Sequence, residues 1–278
     1  MSKIRITAIQ RGCVYDGPGV RTTIFLKGCS LHCPWCCNPE TISVEPQWFI
    51  DDSKCLYLQG IASQLCKKCI RCGGNNEISE CPFGVSENVS EELQTNDLLH
   101  ILMKDEAFLK KNGGVTFSGG EPLLQTDNLL PLLSDIHKRG IHVAFETTLY
   151  VSPNNVEMVV PYMDLAIVDL KLQREQGDLL HYWQILIENL ERLLSHDIPV
   201  RYRLVFVDSV LNDSDLVLQR LNALGVRQLE LIKCHNLGSK KYQKLMLEAK
   251  SYVANEMKYK AFADFLKNNG INVSLLMI

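Results

Sequence analysis

Short runs of β-branched and aromatic residues alternate with amphipathic stretches along most of this chain, and that alternation narrows the folds open to it. The runs cover residues 4–9, 22–27, 115–118, 142–146, 165–169, 200–206, 229–233 and 273–277. Between them lie helices with readable ends. Thr126 is placed to cap a helix carrying Leu129, Leu130, Leu133 and Ile136, which Gly140 stops. Asp213 or Ser214 opens another, with Val217, Leu221 and Leu224 on one face and Gly225 at its end. A last helix near residues 261–267 closes at Gly270. Strands alternating with helices of this length imply βαβ units and a parallel sheet, open or closed into a barrel.

The chain has 278 residues, 46% of them hydrophobic, enough for one large domain or one domain with an insertion. A net charge of -3 gives no basic field for nucleic acid or an anionic membrane. Apolar runs such as residues 165–168 fall far short of the roughly 20 residues that span a bilayer. Met1-Ser2-Lys3-Ile4 leads directly into alternating apolar positions, so a cytoplasmic protein is expected.

Eleven cysteines are the compositional anomaly, and nine of them lie between Cys29 and Cys81. A disulfide framework would spread along the chain, whereas thiols gathered in a reducing compartment bind metal. Residues 46–94 hold five of the cysteines and break the strand–helix rhythm. They read as an insertion into a main domain built from residues 1–45 and 95–278.

Cys29, Cys33 and Cys36 follow the run 22–27 through Gly28, at the carboxyl end of a strand where parallel α/β folds place their chemistry. Three thiolates can hold three irons of a four-iron cluster and leave the fourth open. A closed zinc site needs a fourth ligand. Cys37 and His32 are the candidates for that zinc reading, but one adjoins a ligand and the other lies between two. Further on, Ser118-Gly119-Gly120-Glu121-Pro122 ends an apolar run. Its glycines allow close backbone approach, and Glu121 is able to accept from an ammonium group. Glu146-Thr147, Asp169 with Lys171, Arg203 and His235 lie at or near successive strand ends, as the rim of a ligand site would.

Residues 16–21 (Asp-Gly-Pro-Gly-Val-Arg), the three-cysteine loop, Asn38-Pro39-Glu40 and residues 113–122 together resemble the glycyl-radical enzyme activating enzymes of the radical S-adenosylmethionine superfamily. The resemblance implies a partial (β/α)6-type barrel with a small cysteine-rich, ferredoxin-like insertion. It implies a 4Fe-4S cluster on Cys29, Cys33 and Cys36, with S-adenosylmethionine on its open iron. The amino group of that cofactor would be received by Ser118, Gly119, Gly120 and Glu121, and its adenine would pack on Trp35. Glu146, Thr147, Asp169, Lys171, Arg203 and His235 would complete the cofactor site, and Asp169 and Lys171 would also serve catalysis. The implied reaction is reductive cleavage to a 5′-deoxyadenosyl radical, which takes hydrogen from a backbone glycine of a partner glycyl-radical enzyme. A flavodoxin- or ferredoxin-type reductant and a monomeric state go with it.

Cys66, Cys69 and Cys72, then Cys81-Pro82, resemble ferredoxin ligation and give an expected second 4Fe-4S cluster. Cys55 competes with Cys81 for the fourth position, and four thiolates suit zinc equally well. Residues 173–178 lack the Thr-Gly usual in the family, and Glu146 stands where Asp is more usual, so the partner stays open. A radical enzyme acting on a small molecule or peptide is the alternative, and a non-catalytic iron–sulfur or zinc protein is the remaining one.

Overall fold

The computed structural model describes residues 2–61, 81–172, 179–209, 211, 213–248 and 250–276. In chain order they form β1 (Lys3–Cys13), β2 (Val20–Leu26), β3 (Trp48–Ile50), β4 (Ser86–Asn88), β5 (Glu91–Gln94), α1 (Thr95–Met103), α2 (Glu106–Asn112) and β6 (Gly113–Gly119). There follow α3 (Thr126–Lys138), β7 (Val143–Thr147), α4 (Pro153–Val159), β8 (Leu165–Asp169), α5 (Leu179–Ser195) and β9 (Val200–Phe206). The chain then forms α6 (Ser214–Ala223), β10 (Gln228–Lys233), α7 (Ser239–Lys244), α8 (Glu256–Asn268) and β11 (Asn272–Leu276).

Nine strands make one sheet in the order β11-β10-β9-β8-β7-β6-β2-β1-β5. From β2 through β11 the neighbours are parallel, and β1 runs antiparallel to β2 and β5. Each strand from β2 to β10 in this parallel run is followed by at least one helix, which gives six β/α units before β11. The end strands β5 and β11 do not pair with each other. The architecture is the partial barrel that the alternation and the resemblance led us to expect.

Side-chain alternation along the strands divides the molecule into two compartments. Val115, Phe117, Val143, Phe145, Ala166, Val168 and Leu204 join the large core, together with helix residues such as Leu129, Leu133 and Leu186. Phe117 and Phe145 stack there with centroids 5.2 Å apart. On the opposite face, Ala144, Leu165 and Ile167 form a separate small cluster, and Ser118, Glu146, Asp169 and Arg203 line a cavity. The apolar half of each strand thus holds the helices, and the polar half faces the barrel interior.

Several element ends differ from the sequence reading. Thr126 is the first residue of α3 rather than its cap, because a 3-10 turn at Pro122–Gln125 runs straight into the helix. Its hydroxyl donates instead to Leu123 O across 2.8 Å. Asp213 does cap α6, accepting from Leu216 N at 3.0 Å. The last helix starts earlier than its apolar face suggested, at Glu256, where Asn255 accepts from Met257 N and Lys258 N. Three short strands were not legible: the apolar β3 pairs with the polar β4, and the mostly polar β5 joins the main sheet through β1 although its residues lie within 46–94. Among the described residues, no helix is long and apolar enough to cross a membrane.

Candidate active site

The three-cysteine loop is tied down at its base. After β2, Gly28 N donates to Thr41 O at 2.7 Å and Cys29 N donates to Ile42 O at 2.9 Å, closing residues 29–41 into a loop. Lys27 is buried and donates to Glu40 O (2.8 Å) and Gln47 Oε1 (2.9 Å) beneath it. Burial pushes the Lys27 ammonium down to about 8. From the other side, Lys241 Nζ reaches Asn38 Oδ1 at 2.8 Å and Glu40 Oε1 at 2.5 Å.

The end of β6 is pressed against this loop. Gly119 has φ of 110°, and Gly120 N donates to Leu26 O at 2.9 Å. A Cβ on Gly120 would lie 2.1 Å from Gly28 O, so no other residue fits without displacing the loop. Glu121 N then donates to Gly28 O at 2.7 Å.

Glu121 itself turns away from the cavity. Its fully buried carboxylate accepts from Thr147 Oγ1 (2.7 Å), Thr148 Oγ1 (2.8 Å), Thr148 N (2.9 Å) and Leu123 N (3.3 Å). Burial raises its pKa, against the pull of these donors. With both oxygens occupied by protein donors, the carboxylate fastens the end of β6 to the end of β7. The expected contact from Glu121 to an incoming ammonium is therefore not what this geometry offers. Ser118, Gly119, Gly120 and Glu146 do face the cavity.

Arg203 anchors the cavity wall. Nearly all of its side chain is buried, and it donates to Glu146 Oε1, to Glu230 Oε2 (2.8 and 3.1 Å) and to Tyr15 O (2.7 Å). Ser118 Oγ donates to the other oxygen of Glu146 at 2.6 Å. Asp16 closes the floor, accepting from Thr23 Oγ1 at 2.6 Å while its carbonyl accepts from Thr116 Oγ1 at 2.6 Å. Burial, followed by the charge on Glu146, raises the Asp16 carboxyl above its ordinary range. Lys171 Nζ meets Asp169 Oδ2 at 2.5 Å. Burial opposes the Lys171 charge, but the Asp169 carboxylate outweighs it and holds the ammonium protonated.

These groups surround one cavity of about 280 Å³. Of the residues singled out from the sequence, Cys29, Cys33, Trp35 and Cys36 form one wall. Ser118, Gly119, Gly120, Glu146, Thr147, Asp169, Lys171, Arg203 and His235 form the remainder, with Glu121 behind them. Asp16, Thr148 and Cys234 also line it and had no individual role in the sequence reading, and Cys37, weighed there only as a fourth zinc ligand, lines it too. Asp16 belongs to the 16–21 stretch, whose place beneath the sheet depends on contacts distant in sequence. Cys81 lies elsewhere, packing with Cys55, Ile50 and Val85. Cys66, Cys69 and Cys72 fall outside the described residues.

The residues fit a cluster and a charged cofactor. Burial pushes the Cys29 thiol up to about 12 and raises Cys36 as well, so these sulfurs become ligands only where metal displaces their protons. Among the described residues, no three His, Cys, Asp or Glu side chains are arranged to hold a single ion, whereas a cluster takes its three cysteines on three separate irons. Asp169 Oδ1 is buried without a hydrogen-bond partner at the cavity edge, an acceptor ready for a ligand donor.

Residues 15–187 match the model of a family described as a 4Fe-4S single cluster domain. Over 266 residues the chain is 31% identical to the 4-hydroxyphenylacetate decarboxylase activating enzyme of Clostridioides difficile (strain 630), covering 85% of this chain and 84% of that protein. It is 32% identical over 248 residues to the pyruvate formate-lyase 2-activating enzyme of Escherichia coli (strain K12), covering 87% and 80%. The chain belongs to the glycyl-radical enzyme activating enzymes. A further relative in this family is the benzylsuccinate synthase activating enzyme of Thauera aromatica, 32% identical over 267 residues, covering 85% of this chain and 80% of that one. The fold is shared with the solved structure of native anSMEcpe with bound AdoMet, at a TM-score of 0.55 and 13% identity, covering 90% of this chain and 61% of that one. As an activating enzyme, the protein uses a 4Fe-4S cluster and S-adenosylmethionine to generate a 5′-deoxyadenosyl radical that takes hydrogen from a glycine of a partner enzyme.

Proposed function

We propose that this activating enzyme binds its cluster through Cys29, Cys33 and Cys36 and lays S-adenosylmethionine across the ends of β6, β7 and β8, toward a backbone glycine of a glycyl-radical partner. The observation that carries this reading is a single cavity joining the three-cysteine loop to Ser118–Gly120, Glu146 and Asp169–Lys171. When bound, the cluster supplies the electron that breaks a carbon–sulfur bond of the cofactor. The chain's own residues bind and orient. Backbone at Gly119 and Gly120 lets the methionyl end approach, Glu146 presents negative charge to its ammonium, and Lys171 presents positive charge to its carboxylate. Asp169 Oδ1 receives a hydroxyl donor, and Trp35 with His235 flanks the adenosyl part.

Residues 46–94 form an insertion that carries a second 4Fe-4S cluster on Cys66, Cys69, Cys72 and Cys81, with Cys55 as competing fourth ligand. The packing of Cys55 and Cys81 into one apolar cluster supports a shared site. Iron per chain that does not change in Cys69→Ala would remove this second cluster from the account. The protein works as a cytoplasmic monomer, reduced by a flavodoxin or ferredoxin.

The test is spectroscopic. Protein reconstituted with iron and sulfide is reduced and mixed with S-adenosylmethionine and anaerobic extract of its own organism. A glycyl-radical doublet in electron paramagnetic resonance that depends on Cys33 identifies the partner polypeptide. Accumulation of 5′-deoxyadenosine with no doublet would replace the protein partner with another substrate.

A further inference from the structure

The segment after β10 crosses the cysteine loop and grips it. Its Gly238 packs so closely on Cys37 that a Cβ there would lie 2.9 Å from the Cys37 Cα. Lys241 binds Asn38 and Glu40, and Tyr252 meets the edge of Trp35 at 6.1 Å between centroids. Ala254 N returns the chain to Cys234 O at 3.1 Å. Residues 235–248 and 250–257 thus form a strap whose inner side holds the cluster-binding loop and whose first residue, His235, lines the cavity.

The outer side of this strap is apolar and basic. Of the fifteen large hydrophobic residues that stay exposed among the described residues, five (Leu237, Met246, Leu247, Val253 and Met257) belong to it. Single exposed apolar residues are ordinary, but a third of them concentrated on one short segment mark an interaction surface. The same stretch carries Lys240, Lys241, Lys244 and Lys250 against Glu248 and Glu256, the latter already paired with Lys233 and Lys260, in a chain whose net charge is -3. Lys240 and Lys250 are exposed.

We propose that this strap is the docking surface for the glycyl-radical partner and recognises an apolar, acidic face of it. The inference rests on the function proposed above, because the partner's glycine must enter the cavity whose wall the strap continues. An occupant seated there lies next to His235, which lines the cavity, and its acidic residues meet the local positive charge.

The test uses the radical-free partner identified by the spectroscopic experiment. Its affinity is measured for wild-type holoenzyme, for Leu247→Asp combined with Met257→Asp, for Lys240→Glu combined with Lys250→Glu, and for Phe108→Asp on the remote helix α2. The two strap variants should bind about tenfold or more weakly. The lysine variant should also lose most of the salt dependence of wild type. All variants should still form 5′-deoxyadenosine from S-adenosylmethionine without partner at the wild-type rate, which separates docking from misfolding. Strap variants that bind like wild type, or Phe108→Asp weakening binding equally, overturn the surface and leave the proposed function standing. A wild-type protein that forms 5′-deoxyadenosine but yields no doublet removes both.

Discussion

The hydroxyl of Thr148 donates to Glu121 Oε2 across 2.8 Å, and through that bond the turn after β7 is fixed to the end of β6. Thr147 Oγ1 and two backbone N–H groups complete the set. Removing the carboxylate strands these donors in a buried site, where each unsatisfied group costs about 1–3 kcal/mol. Glu121→Ala should therefore destabilise the metal-free protein by about 3 kcal/mol or more, measured by urea unfolding. A stable variant that has merely lost affinity for S-adenosylmethionine would return Glu121 to direct contact with the cofactor.

Glu146 should matter to the fold as well as to the ligand. It is one of two carboxylates on the buried Arg203. Breaking a buried ion pair from one side costs about 3–5 kcal/mol. Glu146 is partly open to the cavity, with 22% of its side chain exposed, so Glu146→Ala should fall at or below the low end, about 2–3 kcal/mol. Chemical denaturation of the apo protein checks it. An unchanged unfolding midpoint would show that Glu230 alone satisfies the guanidinium.

Gly120→Ala places a methyl group where only 2.1 Å separates the new Cβ from Gly28 O. Relief requires movement of the loop carrying Cys29. Iron and sulfide bound per chain after reconstitution should fall well below wild type, together with an overpacking cost of about 1–3 kcal/mol. Full cluster loading in this variant would show that the loop tolerates the shift.

Lys27 gives a pH signature. Burial holds its folded pKa at about 8, below the 10.5 of a free lysine, so between those values the unfolded chain binds more protons than the folded one. Its contribution to stability therefore improves as pH rises from about 8 to 10.5 and is flat below that window. Lys27→Met should abolish this rise in a comparison of unfolding free energies across the window. A variant with the same slope as wild type would assign the rise to another group.

The sulfur ligands should separate cleanly by iron analysis. Cys33→Ala should lose the cluster-derived iron, while Cys37→Ala should retain it, since Cys37 lies in the same cavity without a place in the three-cysteine spacing. Loss of iron in both would make Cys37 a ligand.

Much of this site was legible in the sequence because it is written at strand ends. Ser118, Glu146 and Asp169 each follow an apolar run, and parallel strands bring such positions to one face. The direction of Glu121 was not legible, since a Gly-Gly-Glu-Pro turn permits its side chain to face either the ligand or the next strand. Asp16 reaches the cavity only through Thr23, Thr116 and the neighbouring Tyr15 carbonyl, contacts that no local pattern encodes. The strands β3, β4 and β5 escaped because three or four residues are too few to carry a measurable period, whether apolar as in β3 or mostly polar as in β4 and β5. Their pairing is decided by the sheet edge they meet.

The saturation of Arg203 has a consequence for turnover. A guanidinium held by two carboxylates and a carbonyl cannot swing toward an arriving anion, nor relax when one departs. Its positive charge acts on the cavity from a constant position, the same with ligand present or absent. The electrostatic rearrangement that solvent would otherwise undergo at each cycle was completed once, when the chain folded.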